Sequence, residues 1–191
     1  KIDGPICLLV GDRRPHVEWT KEMNFDPKKV TLPSFFIDTQ ETREHWARYL
    51  TDIEGMDQEM GRVLKFAKKK FGDNFIFMFT SDHGGQWPFG KWNLYDYGTR
   101  VPLQVRWPGK IKAGVRTDAM VSWVDILPTL IDLAGGKGPT DIDGKSFAPV
   151  LLGESKKHRD MIFTTNTGDK EMNIFPIRSV LVPAPVEAAM A

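Results

Sequence analysis

The chain has 191 residues, a formal net charge of +1, 27% charged and 41% hydrophobic residues, and one cysteine. That length suits one domain with a sizeable core, the near-neutral charge gives no field to draw nucleic acid or an anionic membrane surface, and the lone Cys7 excludes an internal disulfide. No apolar stretch approaches the ~20 residues that span a bilayer, and Lys1-Ile2-Asp3-Gly4 is neither a signal peptide nor a start methionine, so the chain reads as a piece of something longer.

Pro5 to Gly11 is apolar, flanked by Pro and Gly, and reads as a buried strand with Cys7 a structural thiol inside it. It runs into the charged turn Asp12-Arg13-Arg14-Pro15-His16, where a proline limits the backbone just before His16. His16 is thereby offered at a strand's carboxyl end; the plainer alternative is an exposed loop histidine beside two arginines. Val17 to Asp38 shows little periodicity and carries Pro27 and Pro33, the pattern of a long surface excursion, with Trp19 and Phe25 as an apolar plug beneath it.

Thr39 to Phe71 is the strongest helix signal. Trp46, Leu50, Ile53, Met56, Met60, Val63, Leu64 and Ala67 recur at three-to-four spacing, one stripe that the pattern predicts to pack on a sheet. Asp38 and Glu41 suit a capping box, Lys68, Lys69 and Lys70 oppose the negative end of the helix dipole, and Gly72 stops the helix. Phe75 to Phe79 is then five apolar residues, too short for a helix and aromatic enough for a strand buried on both faces. Strand, helix, strand in this order predicts a right-handed unit that opens Pro15-His16 and Asp82-His83 on the same edge of one sheet. Open parallel sheets place their chemistry at such carboxyl ends.

Thr80-Ser81-Asp82-His83-Gly84-Gly85 sets a carboxylate beside an imidazole, and two glycines let the backbone turn sharply. Gly90-Lys91-Trp92-Asn93 supplies a second polar group, for which a solvated loop lysine is the plain alternative. Arg100 to Trp107 reads as a strand closed by the turn Pro108-Gly109-Lys110. Ala119 to Trp123 suits a short strand leading into a helix through Ala134, with Pro128 near its first turn and Gly135-Gly136 as its stop. Asp125 and Asp132 are most simply a dipole partner and a solvated face. Asp141 to Ser146 lacks the later glutamate of a calcium loop and reads as a turn. Met161 to Thr165 and Ile177 to Val182 are further short strands, and the Pro- and Ala-rich residues 183–191 form a low-complexity tail expected to be disordered.

The block TSDHGG, then GKWNLYDYGTRVPLQVRWPGKI, then VSWVDILPTL resembles the second half of the sulfatase catalytic domain, within the alkaline-phosphatase-like superfamily. The similarity runs from about Pro5 to about Ser179 and is nearest to the iduronate-sulfatase and heparan N-sulfatase branch. The Asp-His-Gly of residues 82–84, a Gly-Lys whose lysine follows His83 by eight residues, the RVPL strand and the VD-x-x-PTL helix form a specific combination in this order. The resemblance implies an α/β fold, a mainly parallel central sheet sandwiched by helices, of which residues 1–182 are a partial catalytic domain. It implies that His16 and Lys91 contact the sulfate group in catalysis, that Asp82 ligates a calcium ion, and that His83 is a further metal ligand or a donor to the sulfate or the nucleophile.

Sulfate-ester hydrolysis also needs a nucleophile, which in sulfatases is a formylglycine made within C/S-x-P/A-x-R. That motif and the family's Asp-Asp metal pair are absent here, and Cys7 is followed by Leu-Leu-Val-Gly. Half a site is therefore expected, with little turnover by the chain alone. The implied substrate is a sulfated small molecule or glycan, and the implied location of the intact enzyme is periplasmic, extracellular or lysosomal. Two other readings stay open: a metal-dependent phosphodiesterase or phosphonate hydrolase of the same superfamily, and a non-catalytic truncated or remnant domain.

Overall fold

A computed structural model describes residues 4–167 and 176–183. Its longest element, α1 (Gln40–Phe71), begins one residue inside the predicted helix because Thr39 is its N-cap: Thr39 Oγ1 accepts from the Thr42 amide at 3.1 Å. The Asp38–Glu41 capping box does not form. Asp38 instead takes the Arg43 guanidinium at 2.5 and 2.7 Å, and the same Arg43 donates to the carbonyls of Pro27 and Val30. Gly72 ends the helix with φ 64°, a backbone angle that favours glycine, and its amide donates a hydrogen bond to the Lys68 carbonyl.

The first half of α1 carries its burial, at Trp46, Ala47, Thr51 and Asp52. What these residues meet is loop and not the face of a sheet. The Thr20 amide donates to Asp52 and the Asn24 amide to Thr51 Oγ1, while Trp46 packs against the rings of Phe36 and Trp87. The long excursion is thus pinned along α1 by side chains that cap its backbone donors. Trp19 is the plug expected of it, stacked on Trp87 at 4.5 Å, whereas Phe25 is exposed.

Two ribbons follow. β1 (Phe77–Thr80) and β2 (Leu103–Arg106) pair antiparallel from Phe77 opposite Arg106 to Thr80 opposite Leu103. β3 (Ile162–Asn166) and β4 (Ile177–Leu181) do the same, with Phe163 opposite Val180. Between the β1 end and β2 lies the one-turn helix α2 (Asp96–Thr99). A 3-10 turn at Trp123–Asp125 leads into α3 (Ile126–Leu133), and α4 (Ala148–Leu151) packs beside α3. The expected strand before Trp123 is a single bridge between Met120 and Arg159.

Pro5 to Gly11 is a correction. It forms no strand, Leu9 is 94% exposed, and Cys7 is exposed. An extended segment is held by a ladder of hydrogen bonds to a neighbour, and no described residue pairs with this one, so its apolar side chains stay in solvent. For the same reason the mainly parallel sheet does not occur among the described residues: both ladders are antiparallel, and β1 is only half-buried. The Asp141 to Ser146 segment is a bend, as expected, and residues 184–191 of the predicted tail lie outside the described residues.

Candidate functional site

The loop after β1 is knitted by glycines. The Gly84 amide donates to the Gly98 carbonyl at 2.8 Å, and the Lys91 amide to the Gly85 carbonyl at 2.9 Å. A Cβ on Gly84 would lie 1.8 Å from the Tyr97 carbonyl oxygen, and one on Gly90 would lie 2.1 Å from that of Gly85. Only glycine permits so close an approach of backbone to backbone, so the Gly84-Gly85 pair does more than turn the chain. It folds residues 84–98 back on themselves and brings the Lys91 backbone to Gly85, three residues past Asp82.

From that loop the Lys91 ammonium reaches His16 Nε2 at 3.1 Å, across 75 residues of sequence, and lies 5.2 Å from the centre of the Trp92 ring. The other ring nitrogen of His16 faces the Val17 carbonyl. A carbonyl only accepts, so Nδ1 carries the proton and Nε2 accepts from Lys91. His16 itself sits in an exposed turn, with its amide bonded to the Arg13 carbonyl at 2.9 Å. Of the residues picked out from sequence, His16 and Lys91 are therefore in direct contact.

Asp82 and His83, neighbours in sequence, form a second pair. The Asp82 side chain is 81% exposed; its Oδ1 accepts from the His83 amide at 3.0 Å and its Oδ2 lies 3.4 Å from His83 Nε2. His83 Nδ1 donates to the Gly84 carbonyl at 2.8 Å. Among the described residues no three or more His, Cys, Asp or Glu side chains gather as a metal-binding group. Asp82 offers the oxygen donor a hard cation takes, but calcium takes about six to eight oxygens, so these residues do not by themselves make a calcium site.

Several supports had no local signal in the sequence. Trp123 Nε1 donates to the Ser81 carbonyl at 3.1 Å, joining the start of α3 to the residue before Asp82. Asn166 at the end of β3 donates to the Trp92 carbonyl at 2.8 Å, beside Lys91.

Asp125, expected to be a dipole partner, is instead a fully buried hub. Arg159 donates to both its oxygens, His158 Nε2 stands 3.1 Å from Oδ2, and the amides of Ser122 and Lys145 donate at 2.9 Å each. Burial pushes its carboxyl up, but the hydrogen bonds from Arg159 and the two amides outweigh that and hold it down at about 2. The hub locks the 3-10 turn that carries Trp123 to the segment ending in β3.

A family model described as Sulfatase matches residues 10–136. An ulvan-active sulfatase of Formosa agariphila is 32% identical over 92% of this chain and 36% of its own length. The N-sulphoglucosamine sulphohydrolase of Homo sapiens is 31% identical over 85% of this chain and 34% of its own. A solved structure of a protein in complex with its substrate D-glucosamine-2-N,6-O-disulfate superposes with a TM-score of 0.62 and 26% identity, covering 76% of this chain and 32% of that one. A phosphonate monoester hydrolase from Silicibacter pomeroyi superposes with a TM-score of 0.60 and 30% identity, covering 74% and 29%. The chain thus spans about a third of the length of these relatives.

Proposed function

The chain belongs to the sulfatase family, and from that premise we propose that the whole protein hydrolyses sulfate esters or N-sulfates of a sulfated sugar, with this chain supplying the groups that grip the sulfate. The observation that carries the reading is the 3.1 Å approach of the Lys91 ammonium to His16 Nε2. Two nitrogen groups in direct contact, brought together from loops 75 residues apart, are the pair we read as turning to a tetrahedral oxyanion that enters between them. In the structure His16 Nε2 accepts from Lys91; when sulfate binds, Lys91 turns to a sulfate oxygen, and His16, once it takes up a proton at Nε2, gives that proton to the leaving oxygen as the S–O bond breaks.

The nucleophile comes from elsewhere in the whole protein, because C/S-x-P/A-x-R does not occur in these 191 residues. Asp82 contributes one oxygen ligand to a divalent cation, calcium by family, with His83 beside it; further carboxylates complete that shell, and no step here is routed through the ion. Residues 1–182 are then part of one catalytic domain. This agrees with how little apolar side chain is buried among the described residues: Trp46, Ala47, Phe147 and Ala148.

The phosphonate monoester hydrolase likeness favours a second reading, in which the ester is a phosphate or phosphonate. A chromogenic aryl sulfate and a chromogenic phosphodiester, assayed side by side with the full-length protein, separate the two. Preference for the sulfate supports the first reading, and preference for the phosphodiester refutes it.

A further inference from the structure

His16 lies in a stretch with no regular secondary structure, yet its ring meets Lys91 at hydrogen-bond distance. Something must hold the turn, because a flexible loop would spread that ring over many positions. Asp12 and Arg14 provide one clamp. The Asp12 carboxylate accepts from the Arg14 amide at 2.9 Å, from Nε at 3.1 Å and from the terminal guanidinium nitrogen at 2.8 Å, which closes residues 12–14 into a rigid fork. One residue further on, the Pro15 carbonyl accepts from Trp19 Nε1 at 3.0 Å, and Trp19 stacks on Trp87 of the loop that carries Lys91.

The fork in turn has a seat. Gly55 lies in the middle of the 32-residue helix α1, where glycine is the least favourable residue after proline. A Cβ there would stand 2.5 Å from the near terminal nitrogen of Arg14 and 3.5 Å from its Cζ. The helix carries glycine where the guanidinium lies against its backbone, whereas its other glycine, Gly61, has open space around it. The close contact is with the far end of a flexible side chain, so an added methyl would push Arg14 aside and leave the helix intact.

We propose that Arg14, seated on Gly55 of α1 and clamped by Asp12, is a positioning residue that holds His16 against Lys91. The proposal rests on the reading of His16 and Lys91 as the pair that grips sulfate. It assigns to α1 a task beyond packing, since the helix registers the turn that carries His16 through Arg14 on Gly55 and the Lys91 loop through Trp46 and Tyr49 against Trp87.

The test uses the full chain and two readouts: the nuclear Overhauser cross-peak between the His16 ring and the Lys91 side-chain methylenes, and the affinity for inorganic sulfate followed by the His16 ring signals. Gly55→Ala should leave the melting temperature unchanged or raised, since alanine favours helix, while the cross-peak weakens severalfold and sulfate binding falls by roughly tenfold, the order expected when a contact group is misplaced. Arg14→Ala should do the same to both, and the double variant should lose no more than Arg14→Ala alone, because both changes empty one seat. A cross-peak that is absent from the unmodified chain, or that survives unchanged in Gly55→Ala and Arg14→Ala, overturns the proposal. Sulfate binding that is undiminished by Lys91→Met would instead refute the sulfate-gripping role of the pair, while the cross-peak still decides whether Arg14 positions His16.

Discussion

The Arg159 guanidinium grips both oxygens of the fully buried Asp125 carboxylate, an ion pair between residues 34 apart in sequence. Around it stand His158 on the same carboxylate, the amides of Ser122 and Lys145, and the Asp143 carbonyl, which accepts from Arg159 at 2.8 Å. Thr129 extends the network, donating to the Asp125 carbonyl at 2.6 Å and accepting from the Phe147 amide at 2.9 Å. Removing one partner of a buried pair leaves the other charge uncompensated. Asp125→Ala should therefore cost about 3–5 kcal/mol, read as a lower urea midpoint, and it should free Trp123 from Ser81.

The same group fixes an acid limb of stability. Its carboxyl is held down at about 2 in the folded chain, against an ordinary value of 3.8, so the folded state favours the ionised form. The stabilisation is complete above the unfolded value, near pH 4, and is lost as pH falls toward 2. It amounts to on the order of 2 kcal/mol. Urea melts between pH 5 and 2 should show this loss in the unmodified chain and a shallower acid slope in Asp125→Asn.

Gly84→Ala should break the site loop without touching any charged group. Its Cβ would meet the Tyr97 carbonyl oxygen at 1.8 Å, and the obstacle is backbone, which does not swing away. A cost of about 1–3 kcal/mol is expected, with amide exchange speeding up from Gly84 to Gly98. Gly109→Ala is the contrast, since the space around Gly109 is open and its φ of 74° alone opposes the change.

Thr39→Ala should remove the N-cap of α1. The Thr39 side chain accepts from the Thr42 amide, and its loss should cost about 1 kcal/mol, measured by urea melts followed by helical circular dichroism. Asp38, which the sequence pattern favours for that task, is engaged with Arg43, so Asp38→Ala should act on the 27–38 loop and leave helix content unchanged.

What the residues reveal in advance follows the range of the interaction. α1, α3, β2, β3 and β4 are legible because helix periodicity, glycine stops and short apolar runs are local, and the structure places them within a few residues of the prediction. The His16–Lys91 contact is legible only as two separate loop signals, a Pro-His after one apolar run and a Gly-Lys after another. Burial of Pro5 to Gly11 is misread because an apolar run reports what a strand would bury, not whether a neighbour is there to pair with it. The Asp125 hub has no local signature at all: nothing near residue 125 announces Arg159 or His158. Arg14 over Gly55 is similar, a glycine whose reason lies 41 residues away in the chain.

The most direct test of the central claim is kcat/KM for a chromogenic aryl sulfate, measured with the full-length protein and its Lys91→Ala, His16→Ala and double variants. If the two side chains grip and protonate the reacting sulfate together, each single change should lower kcat/KM by about a hundredfold or more, and the double change should cost far less than the product of the two. Single variants that keep the unmodified rate, or losses that simply multiply, would contradict a shared sulfate site at His16 and Lys91.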